Sequence, residues 1–286
     1  MIELQKIEQV QDWIQQEIRA GIERVLVPTM GGLHEGHLSL IDIARQRAGE
    51  SGRVVVSLFV NPTQFGPDED LQAYPKTMQR DRELCKERGV DLLFAPAVNE
   101  MYAEDASVKV AEEILSAGLC GQSRPVHFGG VCTIVTKLFN LFQPHAAVFG
   151  EKDFQQLAII RRLVRDLNYP VDIMGGAIVR EADGVAMSTR NKNLSPSARQ
   201  QAVVLNKALF AAKGYLDEGG RCLSEIRALM EDVISGFPLA RLDYLEMVDP
   251  GTLQALDQAG ERLLIALAVY FDNTRLIDNL HWREEG

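Results

Sequence analysis

No stretch of the 286-residue sequence approaches the roughly eighteen uninterrupted apolar residues that a membrane-spanning helix needs. The opening Met-Ile-Glu-Leu-Gln-Lys also lacks the charged and then apolar pattern of a secretory leader. Cysteine is sparse: Cys85, Cys120, Cys132 and Cys222 form no CxxC pair, which argues against a disulfide framework or a zinc ribbon and for reduced thiols. Together these absences lead us to expect a cytoplasmic protein with no membrane partner. Positive charge is short as well. Thirty Lys and Arg stand against forty Asp and Glu, a net charge of −10, so nucleic acid is not an expected partner. There is no GxxxxGK[ST] loop, and no Ser/His/Asp or Cys/His spacing stands out, which disfavours a kinase-type P-loop and leaves no evident protein nucleophile. Flexible linkers, internal repeats and low-complexity tracts are missing too. What is there is ordinary: 46% hydrophobic and 24% charged residues, enough for a real core, over a length that suggests two domains.

The chain is organised around residues 25–41. Val25, Leu26 and Val27 are continuous, as in a strand buried on both faces, whereas Leu38, Ile41 and Ala44 recur at helical spacing. Between them lie Pro28, Gly31, Gly32 and Gly36, so the reading is strand, glycine turn, then a helix beginning at His37. Such a turn aims backbone N–H groups and a helix dipole at an anion. His34 and His37 are three apart and can face one ligand. An ordinary turn with two histidines, or part of a zinc site, would use the same residues. Helical zinc pairs, however, want His at i and i+4 with a Glu, and no clear third ligand follows. Phosphate is the preferred ligand.

Strand and helix patterns alternate through the first 180 residues. A helix is expected over Val10–Ala20, ending at Gly21, and strands over Arg53–Val60 and Asp91–Pro96 with a helix over Lys76–Arg88 between them. A helix over Val131–Phe142 should lead to a strand over Ala146–Phe149, and Asp153 should cap a helix running to Asn168. Val171–Arg180 reads as extended, with a bulge or bend at Gly175-Gly176. Alternation of this kind predicts a Rossmann-like, doubly wound parallel sheet with ligands beyond the carboxyl ends of its strands. Three polar loops, His34–His37, Asn61–Gly66 and Gly150–Asp153, fall at such ends. From Ser195-Pro196-Ser197, an N-cap with Pro at the first helical position, the grain changes. Helical runs to Glu218 and over Leu223–Ser235 precede extended segments at Leu242–Val248, Leu263–Phe271 and Thr274–Leu280. That is a smaller α+β domain, with a boundary near 185–195, dividing the chain into residues 1–187 and 188–286.

Beyond the histidines, Gly150-Glu151-Lys152-Asp153 puts a lysine at a strand-to-helix junction, where its charge and the helix N-terminus both favour phosphate. Met187-Ser188-Thr189-Arg190 offers a hydroxyl and a guanidinium beside the domain boundary. Gln64 and Gln156 are neutral amides that could hold a small acid's hydroxyl and carboxylate. Each of these is commonplace alone. Taken together they surround a nucleotide triphosphate, and without a protein nucleophile the natural reaction is direct attack on phosphorus by a bound substrate.

His34-Glu35-Gly36-His37 resembles the HxGH signature of the nucleotidylyltransferases, and Met187–Arg190 resembles the second, KMSKS-type loop of the related class I synthetases. The longer strings 28–37, 59–65, 149–156 and 188–191, with the closing Arg275-Leu276-Ile277-Asp278-Asn279, closely resemble the pantoate–β-alanine ligase family in the same order. The resemblance runs from about residue 20 to the end and implies ATP-dependent condensation of pantoate with β-alanine through an acyl-adenylate, with Mg²⁺. It implies that His34 and His37 stabilise charge on the phosphates, His37 being preferred as proton donor, and that Lys152, Ser188 and Arg190 hold the triphosphate. Met30 and the Gly31-Gly32-Leu33-His34-Glu35-Gly36 turn would lie against the nucleotide. Gly150, Glu151, Asp153, Val179, Met187 and Thr189 would complete the ATP site. Gln64 and Gln156 would bind pantoate, and Gln64 also β-alanine. The Arg124/His127 loop would line the site, and Asp81 would help hold Mg²⁺. A homodimer is implied, with Phe128–Phe142 as a candidate contact. Other adenylyltransferases share HxGH but attack with a phosphate, which calls for an extra basic cluster. A tRNA-binding relative sits badly with the acidic charge.

Overall fold

The computed structural model describes residues 1–67, 69–75 and 77–284. Its first part alternates as expected: β1 (Ile2–Leu4), α1 (Ile7–Arg19), β2 (Arg24–Thr29), α2 (Glu35–Ala48), β3 (Arg53–Leu58), α3 (Met78–Glu87) and β4 (Leu92–Phe94). Short helices α4 (Val98–Met101) and α5 (Cys120–Ser123) lead to α6 (His127–Phe142), β5 (Ala146–Gly150), α7 (Phe154–Asp166) and β6 (Asp172–Gly176). The six strands pair in parallel in the order β1-β4-β3-β2-β5-β6. Side chains alternate across this sheet. Val25, Val27, Val54, Val56 and Val148 pack with α2 and α3, and Leu26, Val55, Phe94, Ala147 and Phe149 pack with α1, α6 and α7. Burial on both faces is why these strands read as unbroken apolar runs.

The chain order reverses between β2 and β5, and there the pairing is short. β2 matches β3 at six positions, but β5 only at Val25–Ala146 and Leu26–Ala147. Pro28 can donate no hydrogen bond toward a neighbour, and past Leu26 the two strands part. A crevice opens at that switch point, where doubly wound sheets hold their ligands.

The second part holds α8 (Pro196–Gln201), α9 (Val204–Asp217), α10 (Leu223–Ser235), β7 (Ala240–Val248), β8 (Arg262–Phe271) and β9 (Thr274–Arg283). Ser195 Oγ accepts from Ala198 N–H at 3.2 Å, the expected cap. The strands form a separate antiparallel sheet, β7-β8-β9. One face packs on α8–α10, and the other, through Val248, Leu264 and Ala266, joins the core cluster around α6 and α7. No helix among the described residues is long and apolar enough to cross a membrane.

Several expectations change. β1 was not foreseen, since three residues are too few to display a period. The helix expected from His37 begins at Glu35, and Lys76, where the next was expected to begin, lies outside the described residues. Gly175 and Gly176 make no bulge: they pair in register with Phe149 and Gly150. The register shift lies instead in β7, where Asp243 is passed over between Leu242 and Tyr244. Asp153 occupies the position before α7 but makes no capping bond, because a 3-10 turn over Glu151–Asp153 already leads into the helix. Helix α6, considered as a dimer contact, is apolar on most sides and buried in the chain's own core.

It also starts four residues early, despite Gly129-Gly130, because tertiary packing needs the second glycine. A Cβ at Gly130 would lie 2.5 Å from Gln64 N and Thr63 O, so only glycine lets α6 touch the Pro62–Gln64 turn. Gly130→Ala should therefore cost about 1–3 kcal/mol of stability by overpacking, even though alanine favours helix by about 1 kcal/mol. Urea denaturation is the check, and a variant as stable as the parent would contradict this packing.

Candidate active site

The glycine turn after β2 is built around a buried carboxylate. Gly31 and Gly32 have φ of +88° and +67°, and their turn curls over Asp81 in the first turn of α3. Asp81 accepts from Gly32 N–H and Leu33 N–H at 2.9 Å each and from the Thr77 hydroxyl at 3.1 Å, and only 2% of it is exposed. This occupation differs from the Mg²⁺ role expected for it. Donors expected to face a phosphate are thus already filled from inside the protein. Gly31, Gly32, Leu33 and Glu35 do not line the crevice, and Glu35 pairs with Arg88 at the surface.

Met30, His34, Gly36 and His37 do line it. His34 stands at the N-cap of α2, its Nδ1 accepting from Gly36 N–H at 3.2 Å, while His37 Nδ1 lies 3.4 Å from His34 N–H. The two rings are 4.1 Å apart. With both Nδ1 atoms accepting, each neutral ring keeps its proton on Nε2 as a donor. Burial, then the charge on the other histidine and on Lys152, pushes His34 down to about 3. Burial and Lys152 push His37 down to about 4. The pair is therefore uncharged at neutral pH, with one Nε2–H on each ring free of the bonds within the pair.

The remaining expected residues arrive from three directions. Beyond β5, Lys152 lies 3.7 Å from Asp153, and the carbonyls of Glu151 and Lys152 accept from Asn279 Nδ2 at 3.0 and 2.9 Å. Asn279 itself sits on β9 beside Asp278, whose carboxylate is buried and takes both arms of Arg180 at 2.6 and 3.0 Å. The small sheet thus holds the lysine loop in place. Burial alone would raise the Asp153 carboxyl, but Lys152 and Arg190 outweigh it and hold it below the usual range.

After β6 the chain forms a short hairpin in which Met187 N–H donates to Val179 O at 2.9 Å, and both residues line the crevice with Ser188 and Thr189. Thr189 Oγ1 donates to Gly32 O at 3.2 Å, tying this loop to the glycine turn, and a Cβ on Gly32 would lie 2.5 Å from the same threonine. Ser188 Oγ accepts from Arg190 N–H at 3.3 Å, and the Arg190 guanidinium grips Asp70 at 2.7 and 2.8 Å.

Beyond β3, Gln64 is buried in a network. Asn61 Nδ2 donates to Gln64 Oε1 and to Gly130 O, Tyr102 donates to Asn61 Oδ1, and Gln64 Nε2 points at Met30 sulfur, 3.0 Å away. His127 Nδ1 meets Gln64 O at 3.0 Å, and burial pushes that histidine down to about 4. Arg124 pairs with Glu69 and lines the same wall. Of the adjacent glutamines, Gln155 is structural, bonding Cys120 N–H and the carbonyls of Leu115 and Gly118, whereas Gln156 lines the crevice.

The crevice encloses about 220 Å³ and holds Gln64, Gln156, His34, His37, Lys152 and Arg190 together. It shares Lys152, Gln156, Ser188 and Arg190 with a second space of about 530 Å³ that is walled by α5, the start of α7 and the small sheet. Among the described residues, no three His, Cys, Asp or Glu side chains are grouped so as to hold a metal.

The family model described as pantoate-beta-alanine ligase matches residues 3–281. The chain belongs to the pantoate–β-alanine ligase family. It is 52% identical to the pantothenate synthetase of Akkermansia muciniphila over 256 residues, covering 90% of this chain and 91% of that one. The corresponding protein of Moorella thermoacetica is 49% identical over 277 residues, 97% of each chain. Among solved structures, the pantothenate synthetase of Thermus thermophilus superposes with a TM-score of 0.90 at 45% identity, covering 98% of this chain and 99% of that chain. The ligase of Francisella tularensis, solved with β,γ ATP and β-alanine, has a TM-score of 0.81 at 33% identity over 98% and 97%.

Asn61, Asp70, Arg180, Asp278 and Asn279 are further polar residues at or beside the site. Asn61 and Asp278-Asn279 fall in strings that carry the family resemblance, and Asp278-Asn279 is also polar within β9, whereas Asp70 and Arg180 give no sequence signal. The depressed histidines give a pH prediction. An unfolded histidine titrates near 6.5, so between that value and about 4 the unfolded chain binds more protons than the native one, and stability falls as pH falls. From pH 7 to 5 the loss should approach about 2 kcal/mol for each of these neutral histidines, of which His127 is buried and His34 and His37 are half-buried. Urea midpoints at the two pH values should differ less in His37→Asn than in the parent, and an equal difference would contradict a neutral His37.

Proposed function

We propose that this protein condenses pantoate with β-alanine at the expense of ATP, releasing AMP and pyrophosphate through a pantoyl-adenylate. The observation that carries the reading is the meeting of Gln64 and Gln156 with His34, His37, Lys152, Ser188 and Arg190 in one crevice at the switch point. In the first step a pantoate carboxylate oxygen attacks the α-phosphorus, the bond to the bridging oxygen breaks, and pyrophosphate leaves with the electron pair. Lys152, Ser188 and Arg190 oppose the charge that gathers on the phosphates. The Nε2–H groups of His34 and His37 donate to it without having to lose a proton, as preorganised donors each contributing about 3–4 kcal/mol. Met30, Gly36, Gly150, Asp153, Val179, Met187 and Thr189 form the nucleotide walls. In the second step the β-alanine amine attacks the acyl carbon, the bond from that carbon to the AMP oxygen breaks with its electron pair leaving on AMP, and the nitrogen gives up a proton to solvent. Gln64 and Gln156 present amides to hydroxyl and carboxylate groups, a neutral match for a small polyol acid.

Mg²⁺ fits this site as the ion that MgATP carries on its phosphates with several waters, which calls for no protein cage. Its charge would further stabilise the pyrophosphate leaving group. Asp81 is not a ligand in this reading, both of its oxygens being committed to backbone N–H groups. An acyl-adenylate is readily hydrolysed, so water must be kept out. Residues 1–187 then act as the nucleotide- and pantoate-binding domain and 188–286 as the smaller domain that closes on it. A cytoplasmic location completes the reading, three of the four cysteines being buried free thiols, and the homodimer rests on the family resemblance alone.

AMP should form only when ATP, pantoate and β-alanine are all present, and His37→Ala should slow it by roughly 10²–10³-fold with the circular dichroism spectrum unchanged. Turnover at the parental rate in that variant would remove the histidine from the mechanism.

A further inference from the structure

Asp81 is a buried carboxylate that lines neither space of the site and has no Lys, Arg or His paired to it among the described residues. A buried charge is costly unless it is hydrogen-bonded, so its surroundings matter. Its two oxygens divide between consecutive backbone donors, Gly32 N–H and Leu33 N–H, and the Thr77 hydroxyl bonds both. Two successive residues in the left-handed region, Gly31 and Gly32, aim those donors inward. Backbone donors arranged this way form a concavity that elsewhere binds phosphate. Here the protein supplies the anion itself.

Two functional loops hang from that contact. Leu33, buried behind the turn, runs directly into His34, whose ring caps α2 and stands 4.1 Å from His37. On the other side Gly32 O accepts from Thr189, the residue between Ser188 and Arg190. Asp81, Gly32 and Thr189 thus form one hydrogen-bonded line joining α3 to both loops. We propose that Asp81 is a positioning residue for adenylation: it shapes the turn before any nucleotide arrives and so sets where His34 and His37 present their Nε2–H groups. Asparagine cannot take its place. An amide offers one acceptor oxygen and must turn its NH₂ toward one of the two N–H donors.

This inference rests on the adenylation reading, so its test pairs a kinetic readout with one that needs no substrate. In ligand-free Asp81→Asn the ring NMR signals of His34 and His37 should shift while those of His145 and His281 stay in place. The rate of AMP formation per titrated active site should fall roughly ten- to hundredfold, as for a displacement near 1 Å, with KM for ATP changed less than threefold. Thr77→Val, which keeps the carboxylate but removes its hydroxyl support, should move the same signals less and slow the rate less, and Thr77→Ser should restore both. Should Asp81→Asn fail to fold, the Thr77 pair carries the test with the same readouts. Unmoved histidine signals with a per-site rate within twofold of the parent, and only a lower melting temperature, would make Asp81 merely structural and overturn the proposal. A parent without pantoate-dependent activity would defeat the adenylation reading instead, leaving the NMR comparison to decide the positioning.

Discussion

Leu26 and Ala147 are the last residues through which β2 and β5 are paired, and the candidate chemistry lies beyond them. A parallel sheet buried on both faces has no reason to open except where its winding reverses, and there the helices that follow the two strands leave toward opposite faces. Pro28, without an N–H, stands where the strands separate. The glycine turn and its histidines follow β2, and the lysine loop follows β5, so backbone continuity delivers both groups to the gap, where Asp81 and Asn279 then fix them. The amides reach it from the strand next door and from α7, and the Ser188–Arg190 loop from beyond β6.

A gap of this kind in an acidic protein must create its own electrostatics. The surface carries a net charge of −10, yet Lys152, Arg190 and Arg124 converge on the crevice, and each is placed by local contacts. Arg190 and Arg124 are steadied by Asp70 and Glu69, which keeps cations in position without a ligand. The histidines take the complementary route. Half-buried beside a lysine, they stay neutral, and in the proposed reaction both can donate to the incoming polyanion without adding to the repulsion among the cations. Preorganisation of this sort places the cost of assembling the site in folding rather than in the chemical step.

What was legible in the sequence follows from how local the cause is. Strands β3 and β5 and helix α10 were visible because unbroken apolar runs and a clean 3.6-residue spacing are local patterns. The HxGH histidines, Lys152 and Ser188–Arg190 were visible through family resemblance, and the structure brings them into one crevice. Less visible was anything settled by a distant partner. His34 turned out to cap the helix, Asp153 does not cap the next one, and Asp81 is committed to Gly32 and Leu33, residues 49 and 48 positions away. The grip of Asn279 on the lysine loop spans more than 120 residues and leaves no periodic trace. The early start of α6 likewise answers to the turn it touches, against the propensity of its own Gly129-Gly130.

In the proposed reaction the crevice joins an acid to AMP before any amine is involved. The measurement to make first is pantoate-dependent exchange of labelled pyrophosphate into ATP, with Mg²⁺ present and β-alanine left out. Label should enter ATP only when pantoate is present, and the exchange should fall away in Lys152→Ala. Folded protein that shows no exchange at saturating pantoate and ATP, and releases no AMP once β-alanine is added, would contradict the account.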